Sequence, residues 1–142
     1  AEQANRFFEM LLNGGNYQGQ QILSPQTVFR ATLPTSKTTI DHSLLVPMRY
    51  ALGPMLGSNP VGIFGPMTGQ AFGHLGFSNV LCWADPERDI SVSFLTTGKS
   101  VVGTHLAATA KVLYQISNQC PKIVKDQRRS LFGTHHLETD PV

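Results

Sequence analysis

The sequence lacks the features of several large classes of protein. It has no apolar run near the roughly 20 residues that a membrane-spanning helix requires. It has two cysteines, Cys82 and Cys120, and their placement favours free thiols over a disulfide. The formal net charge is +2, and no basic cluster with interleaved aromatic residues is present. We therefore expect neither a membrane span nor a nucleic-acid-binding surface.

Motifs for cofactors are missing as well. Residues 57–69 are rich in Gly and Pro but lack the Lys-Ser/Thr ending of a phosphate-binding loop. His135, His136 and Glu138 have the chemistry of metal ligands, but composition explains them better, because they lie in a polar tail. The sequence predicts no cofactor and no metal.

The most informative stretch is residues 70–99. Residues 79–84 and 90–97 are rich in β-forming residues, and Asp85-Pro86-Glu87-Arg88-Asp89 between them has the composition of a turn. This pattern predicts a hairpin, and we interpret its charged turn as solvated. The segment Gly73-His74-Leu75-Gly76-Phe77 is predicted to form a third strand that leads into the hairpin.

Three segments have helical periodicity. Residues 2–12 carry an apolar face and end at a pair of glycines. Residues 25–31 begin with a Ser-Pro signature of a helix N-terminus and are expected to bury Val28 and Phe29. Residues 104–119 form the third amphipathic pattern. Together with the strands, these helices predict an α+β fold.

The predicted architecture is an antiparallel sheet flanked by helices. Its core is a three-stranded unit over residues 71–97, with a short added strand at residues 48–53. Residues 35–43 and 57–69 are predicted to be loops, the second because of its density of Gly and Pro. We assign residues 1–120 to one domain and residues 121–142 to a polar tail. The first residues already have a helical pattern, which suggests a fragment or a processed piece.

The order of these elements resembles the C-terminal portion of the serine β-lactamase and penicillin-binding-protein-like superfamily. The similarity is greatest to its esterase-type and class C-like members. It rests on the His-x-Gly segment, the strand ending in W-A-D-P-E-R, the strand S-V-S-F-L-T-T-G-K, and F-F-E-M-L-L-N-G-G-N-Y-Q-G-Q-Q-I-L-S-P-Q-T-V upstream. It covers residues 4–119 and implies the C-terminal part of a β-lactamase-like fold.

The resemblance implies catalytic roles for three residues. In the superfamily, a Ser on a Ser-x-x-Lys element attacks a carbonyl, and a Lys-Thr-Gly-like strand lines the active site. His74 takes the Lys position, where it would orient the substrate or assist proton transfer. Gly76 would let the substrate approach the backbone, and the N–H of Phe77 would face the oxyanion. The alternative for His74 is a structural histidine on a strand.

The same resemblance suggests substrate-binding residues. Leu75 takes the Thr position, and the lost hydroxyl favours an esterase-type or amidase-type activity over β-lactam hydrolysis. Phe64 and Met67 would form an apolar wall of the cleft, or pack beneath the loop of residues 57–69. The implied substrate is a small ester or amide.

The nucleophile is missing from this sequence. No lysine has a serine three positions before it, and neither Tyr-x-Asn nor Ser-x-Asn occurs. We therefore expect the chain alone to be inactive, with the Ser-x-x-Lys element upstream or on another chain. The expected partner is the N-terminal half of the fold, or a second copy that pairs through the edge of residues 90–97. The alternative is a non-catalytic binding or scaffold protein.

Overall fold

A computed structural model describes residues 1–76, 80–97 and 103–123. Within them, three helices and ten strands follow one another along the chain. They are, in order, α1 (Glu2–Leu12), β1 (Asn16–Tyr17), β2 (Gln20–Gln21), α2 (Pro25–Thr32), β3 (Thr39–Asp41), β4 (Val46–Tyr50), β5 (Met55–Leu56), β6 (Val61–Gly62), β7 (Gly65–Pro66), β8 (Phe72–Gly76), β9 (Val80–Asp85), β10 (Ile90–Phe94) and α3 (His105–Gln119). The α+β class predicted from the sequence is confirmed.

The main sheet has six strands in the order β10-β9-β8-β5-β4-β3, and every neighbouring pair is antiparallel. The predicted three-stranded core is present as β8, β9 and β10, and the sheet extends beyond it. The loop prediction for residues 35–43 is wrong, because this segment contains β3. The Asp41 carboxylate closes the turn after β3 by accepting the N–H groups of Ser43 and Leu44 at 2.8 and 2.9 Å.

The two faces of the sheet carry separate apolar clusters, since successive side chains of a strand point to opposite sides. On one face, Phe72 and Ala84 pack with neighbouring strand residues against α1. On the other face, Trp83 and Phe64 lie at the centre of a cluster that includes Leu113 of α3. The rings of Phe64 and Trp83 stack with centroids 5.6 Å apart. Helices α1 and α3 therefore cover opposite faces of one sheet.

The helix predictions hold better for position than for burial. The bounds of α1 agree with the prediction, and α2 buries Val28 as expected. The prediction that Phe29 is buried is wrong, because its side chain is 62% exposed. On α3 only Leu113 is buried. Among the described residues, no helix is long and apolar enough to cross a membrane.

The turn between β9 and β10 is not the solvated turn that its composition suggested. Asp85 and Arg88 are buried and form an ion pair at 2.7 Å. Arg88 also donates to the carbonyls of Met67 and Cys120, each at 3.0 Å. The turn thus ties the end of α3 to the segment before β8, because one guanidinium can satisfy several backbone acceptors.

The prediction that residues 57–69 form a surface loop is only half right. The segment contains the β6–β7 hairpin, and Phe64 between these strands is 1% exposed.

Beyond α3, the Lys122 ammonium pairs with Glu87 at 2.7 Å, and the N–H of Ile123 donates to the Glu87 carbonyl at 2.8 Å. The rest of the predicted tail, residues 124–142, lies outside the described residues. The two cysteines are free, as expected, and Cys82 is buried.

Candidate functional site

His74 lies in the middle of β8, where its side chain is exposed. Its Nδ1 is 2.9 Å from the carbonyl oxygen of Leu75. No ion pair in the described part of the chain involves His74. The imidazole is therefore available to a ligand. This availability agrees with the predicted catalytic role but does not by itself imply that role.

One edge of β8 is open beside His74. The pairing of β8 with β9 extends along all five residues of the strand. Its pairing with β5 covers only Phe72 and Gly73. Residues 74–76 have no strand partner on that side among the described residues. The N–H of Leu75 points to this edge, where it donates to Met55 Sδ at 3.4 Å, and a thioether sulfur is a weak acceptor.

The two glycines of β8 have different surroundings. A Cβ on Gly73 would lie 2.2 Å from the carbonyl oxygen of Cys82 and 2.4 Å from Cβ of Trp83. A Cβ on Gly76 would have Val80 Cβ as its nearest neighbour, at 3.4 Å. The packing of the sheet thus requires glycine at position 73, whereas at position 76 it would accept a side chain.

A cavity of about 530 Å³ lies on the other face of the sheet. Its volume is within the usual range for small-molecule sites. Leu75 and Leu106 are part of its lining, together with Ile63 of the β6–β7 hairpin. Because side chains alternate along a strand, His74 points away from the face that carries Leu75. The imidazole and the cavity are therefore on opposite sides of the sheet.

The structure separates the residues predicted to bind substrate. Leu75 lines the cavity, but Phe64 and Met67 do not. The Phe64 ring is in the core. This agrees with the alternative prediction, in which Phe64 packs beneath the loop of residues 57–69. Met67 is 46% exposed, and its carbonyl is an acceptor for Arg88. Phe77, the predicted oxyanion donor, lies outside the described residues.

A hydrogen-bonded pair that the sequence analysis missed joins β3 to β4. The Tyr50 hydroxyl donates to Asp41, and this bond raises the pKa of Tyr50 to about 12. The same bond, with the two backbone N–H groups that Asp41 accepts, holds the pKa of its carboxyl below the usual value. The pair stabilises the far edge of the sheet. No sequence signal marks it, because the two residues are nine positions apart and the strand register pairs Asp41 with Val46 rather than with Tyr50.

No group of three or more His, Cys, Asp or Glu residues within the described segments is arranged to hold a metal ion. The possible ligands His135, His136 and Glu138 are outside those segments.

The chain was compared with known proteins. No family model matches it. It is 30% identical over 90 residues to the esterase/β-lactamase LipL of Mycobacterium tuberculosis. Its structure is similar to that of a penicillin-binding protein homologue from Caulobacter crescentus, with a TM-score of 0.59 and 25% sequence identity. The chain has a β-lactamase-like fold. The resemblance to the serine β-lactamase and penicillin-binding-protein-like superfamily is confirmed.

A family VIII carboxylesterase has the same fold, with a TM-score of 0.64 over 83% of this chain. Its 20% identity supports the fold alone. The match to LipL covers 63% of this chain and 20% of LipL, and the match to the penicillin-binding protein homologue covers 68% and 25%. The match to the carboxylesterase covers 31% of that protein. The β-lactamase-like segment thus spans between a fifth and a third of these proteins.

Proposed function

We propose that this chain is the C-terminal portion of a serine hydrolase that transfers acyl groups from esters or amides through a Ser acyl-enzyme. It would supply the His-x-Gly strand and the oxyanion side of the active site. The names of the relatives, an esterase/β-lactamase and a penicillin-binding protein homologue, support this class of protein. The Ser-x-x-Lys element would come from sequence upstream or from another chain.

The observation that carries the proposal is the open edge of β8 beside an exposed histidine. A strand whose edge is unpaired can offer backbone N–H groups to a substrate carbonyl. The N–H of Leu75 lies on such an edge, since β5 ends opposite Gly73, and its acceptor there is the weakly accepting sulfur of Met55. Gly76 is half-buried, and the sheet itself does not require a glycine there.

Each residue has a proposed task. The N–H of Phe77 would donate to the oxyanion that develops when the nucleophile attacks, and one such donor contributes about 10²–10³ in rate in another hydrolase. His74 would contact a polar group of the substrate or assist a proton transfer. Leu75 stands where the Lys-Thr-Gly motif of the superfamily has Thr. The loss of the Thr hydroxyl would favour ester or amide substrates over β-lactams. No cofactor takes part in this scheme.

The edge of β10 is the proposed place for the partner. β10 pairs with β9 on one side, and within the described residues its other side has no strand. An exposed strand edge is prone to pair with another chain. We propose that strands of the N-terminal half add there, and self-association through the same edge is the second possibility. Sizing of this chain by light scattering tests the second possibility, which a monomer at all concentrations would contradict.

The second candidate is a non-catalytic binding or scaffold protein that keeps the fold. It is favoured by one observation, the lack of Ser-x-x-Lys in these 142 residues. The gene sequence upstream of Ala1 discriminates between the candidates, since a Ser-x-x-Lys there favours the enzyme. Hydrolysis of p-nitrophenyl acetate by the complete gene product then tests the activity. We expect turnover that is lost when the Ser of that motif is changed to Ala. No turnover above the spontaneous rate would support the scaffold instead.

A further inference from the structure

The hydrogen bond between His74 and its own strand specifies how the imidazole meets a ligand. Nδ1 lies 2.9 Å from the Leu75 carbonyl oxygen. A carbonyl oxygen can only accept, so Nδ1 must carry the proton. In a neutral imidazole only one ring nitrogen is protonated, and Nε2 therefore has the free lone pair. The backbone thus selects one of the two tautomers.

Nothing else in the described part of the chain competes for this nitrogen. His74 is exposed and forms no ion pair there with a carboxylate. Its position on β8 is opposite Cys82 of β9, a buried thiol that is a weak hydrogen-bond donor. Among the described residues, the lone pair of Nε2 is consequently open to a ligand.

We infer that the active site takes acyl substrates that bear an uncharged hydrogen-bond donor, such as an amide or a hydroxyl, and discriminates against those that bear a carboxylate. The inference deepens the proposed function and rests on it. A neutral imidazole that presents a lone pair accepts a bond from an N–H or O–H group. As long as the imidazole is neutral, a carboxylate has only lone pairs to offer and would meet repulsion at the same place.

The tautomer can be measured on the chain itself. We would record long-range ¹H–¹⁵N correlations of the histidine rings at mildly alkaline pH, where imidazoles are neutral, and assign His74 by its loss in His74→Asn. The expected result is a protonated Nδ1 and an unprotonated Nε2. A protonated Nε2, or averaged shifts that indicate a mixture of tautomers, would overturn the inference whether or not the assembly is active.

The substrate preference is measured on the complete gene product, at the same mildly alkaline pH, with two matched esters, 3-acetoxybenzamide and 3-acetoxybenzoate. Each enzymatic rate is divided by the spontaneous hydrolysis rate of the same ester. We expect kcat/KM to favour the amide about 10- to 100-fold, the effect of one polar interaction gained or lost. His74→Lys should reduce or reverse this preference, because its ammonium has donors and no lone pair.

The two experiments distinguish failure of the inference from failure of the proposed function. Equal rates for the two esters, a preference for the carboxylate, or a preference for the amide that His74→Lys leaves unchanged would overturn the inference while the hydrolase remains. No turnover of either ester would overturn the proposed function and the substrate preference together. The ring tautomer would in that case still be decided by the NMR measurement.

Discussion

The contrast between the two glycines of β8 gives the sharpest test of the structure. In Gly73→Ala, the new methyl group would lie 2.2 Å from a backbone oxygen of β9 and 2.5 Å from Cα of Trp83. Backbone atoms cannot rotate away, so the pairing of β8 with β9 must shift. Overpacking in a core usually costs about 1–3 kcal/mol. We expect a loss of about 3 kcal/mol or more, because the clash is with the backbone.

Gly76→Ala is the matched control on the same strand. Its methyl group would meet Val80 Cβ at 3.4 Å, which is close to ordinary contact. We expect a change in stability within about 0.5 kcal/mol, as for substitutions that create no clash. In the complete hydrolase, however, the methyl group would stand at the proposed substrate edge. We expect kcat/KM there to fall about 10-fold or more, since small misplacements of substrate are costly.

The assay for stability is urea denaturation followed by fluorescence. Trp83 is the single tryptophan and is 1% exposed, so its emission reports the opening of the core. Gly73→Ala should lower the free energy of unfolding far more than Gly76→Ala does. Equal losses in the two variants, or a larger loss for Gly76→Ala, would refute the described register of β8 on β9.

Three further predictions concern stability. Asp85→Asn leaves the buried Arg88 guanidinium without its counter-charge, and it should lower the free energy of unfolding by about 3–5 kcal/mol in urea denaturation. A loss below about 1 kcal/mol would contradict the buried ion pair. Phe64→Ala should lower the free energy of unfolding by about 3–5 kcal/mol, because it leaves a cavity in the core beside Trp83. The control Phe29→Ala, on the surface, should change it by less than about 0.5 kcal/mol. Similar losses in the two variants would show that Phe64 is not a core residue. The pKa of Tyr50 is higher in the folded chain than its ordinary value, so its bond to Asp41 stabilises the fold fully below about pH 10 and is lost as the pH rises to about 12. The stability difference between the natural chain and Tyr50→Phe should shrink over that interval, and a constant difference would contradict the bond.

The sequence predicted the parts of the fold that depend on local pattern. The hairpin of β9 and β10 has β-forming runs on either side of a turn, and α1 has a clear apolar period with glycines at its end. The burial of Asp85 and Arg88 was missed because their partners, the carbonyls of Met67 and Cys120, are distant in sequence. Composition alone could only suggest a solvated turn.

The candidate site was predicted in part, for the same reason. The His-x-Gly motif located the strand, and the structure adds that residues 74–76 have no partner on the β5 side within the described part of the chain. The position of Phe64 depends on its stacking against Trp83, nineteen positions away, and an apolar residue in a glycine-rich loop does not reveal which side it faces. Met67 is exposed and Leu75 faces the cavity, so the three residues do not form one wall. The roles of His74, Gly76 and Phe77 remain predictions.

The most direct test of the central claim is labelling with a fluorophosphonate, which reacts with activated serines. The complete gene product, and separately this chain alone, would be treated with the reagent and analysed by mass spectrometry of the peptides. We predict one label on the Ser of a Ser-x-x-Lys element outside these 142 residues, a lower labelling rate in His74→Asn, and none on this chain by itself. A complete gene product that takes up no label would contradict the assignment of this β-lactamase-like segment to a serine hydrolase.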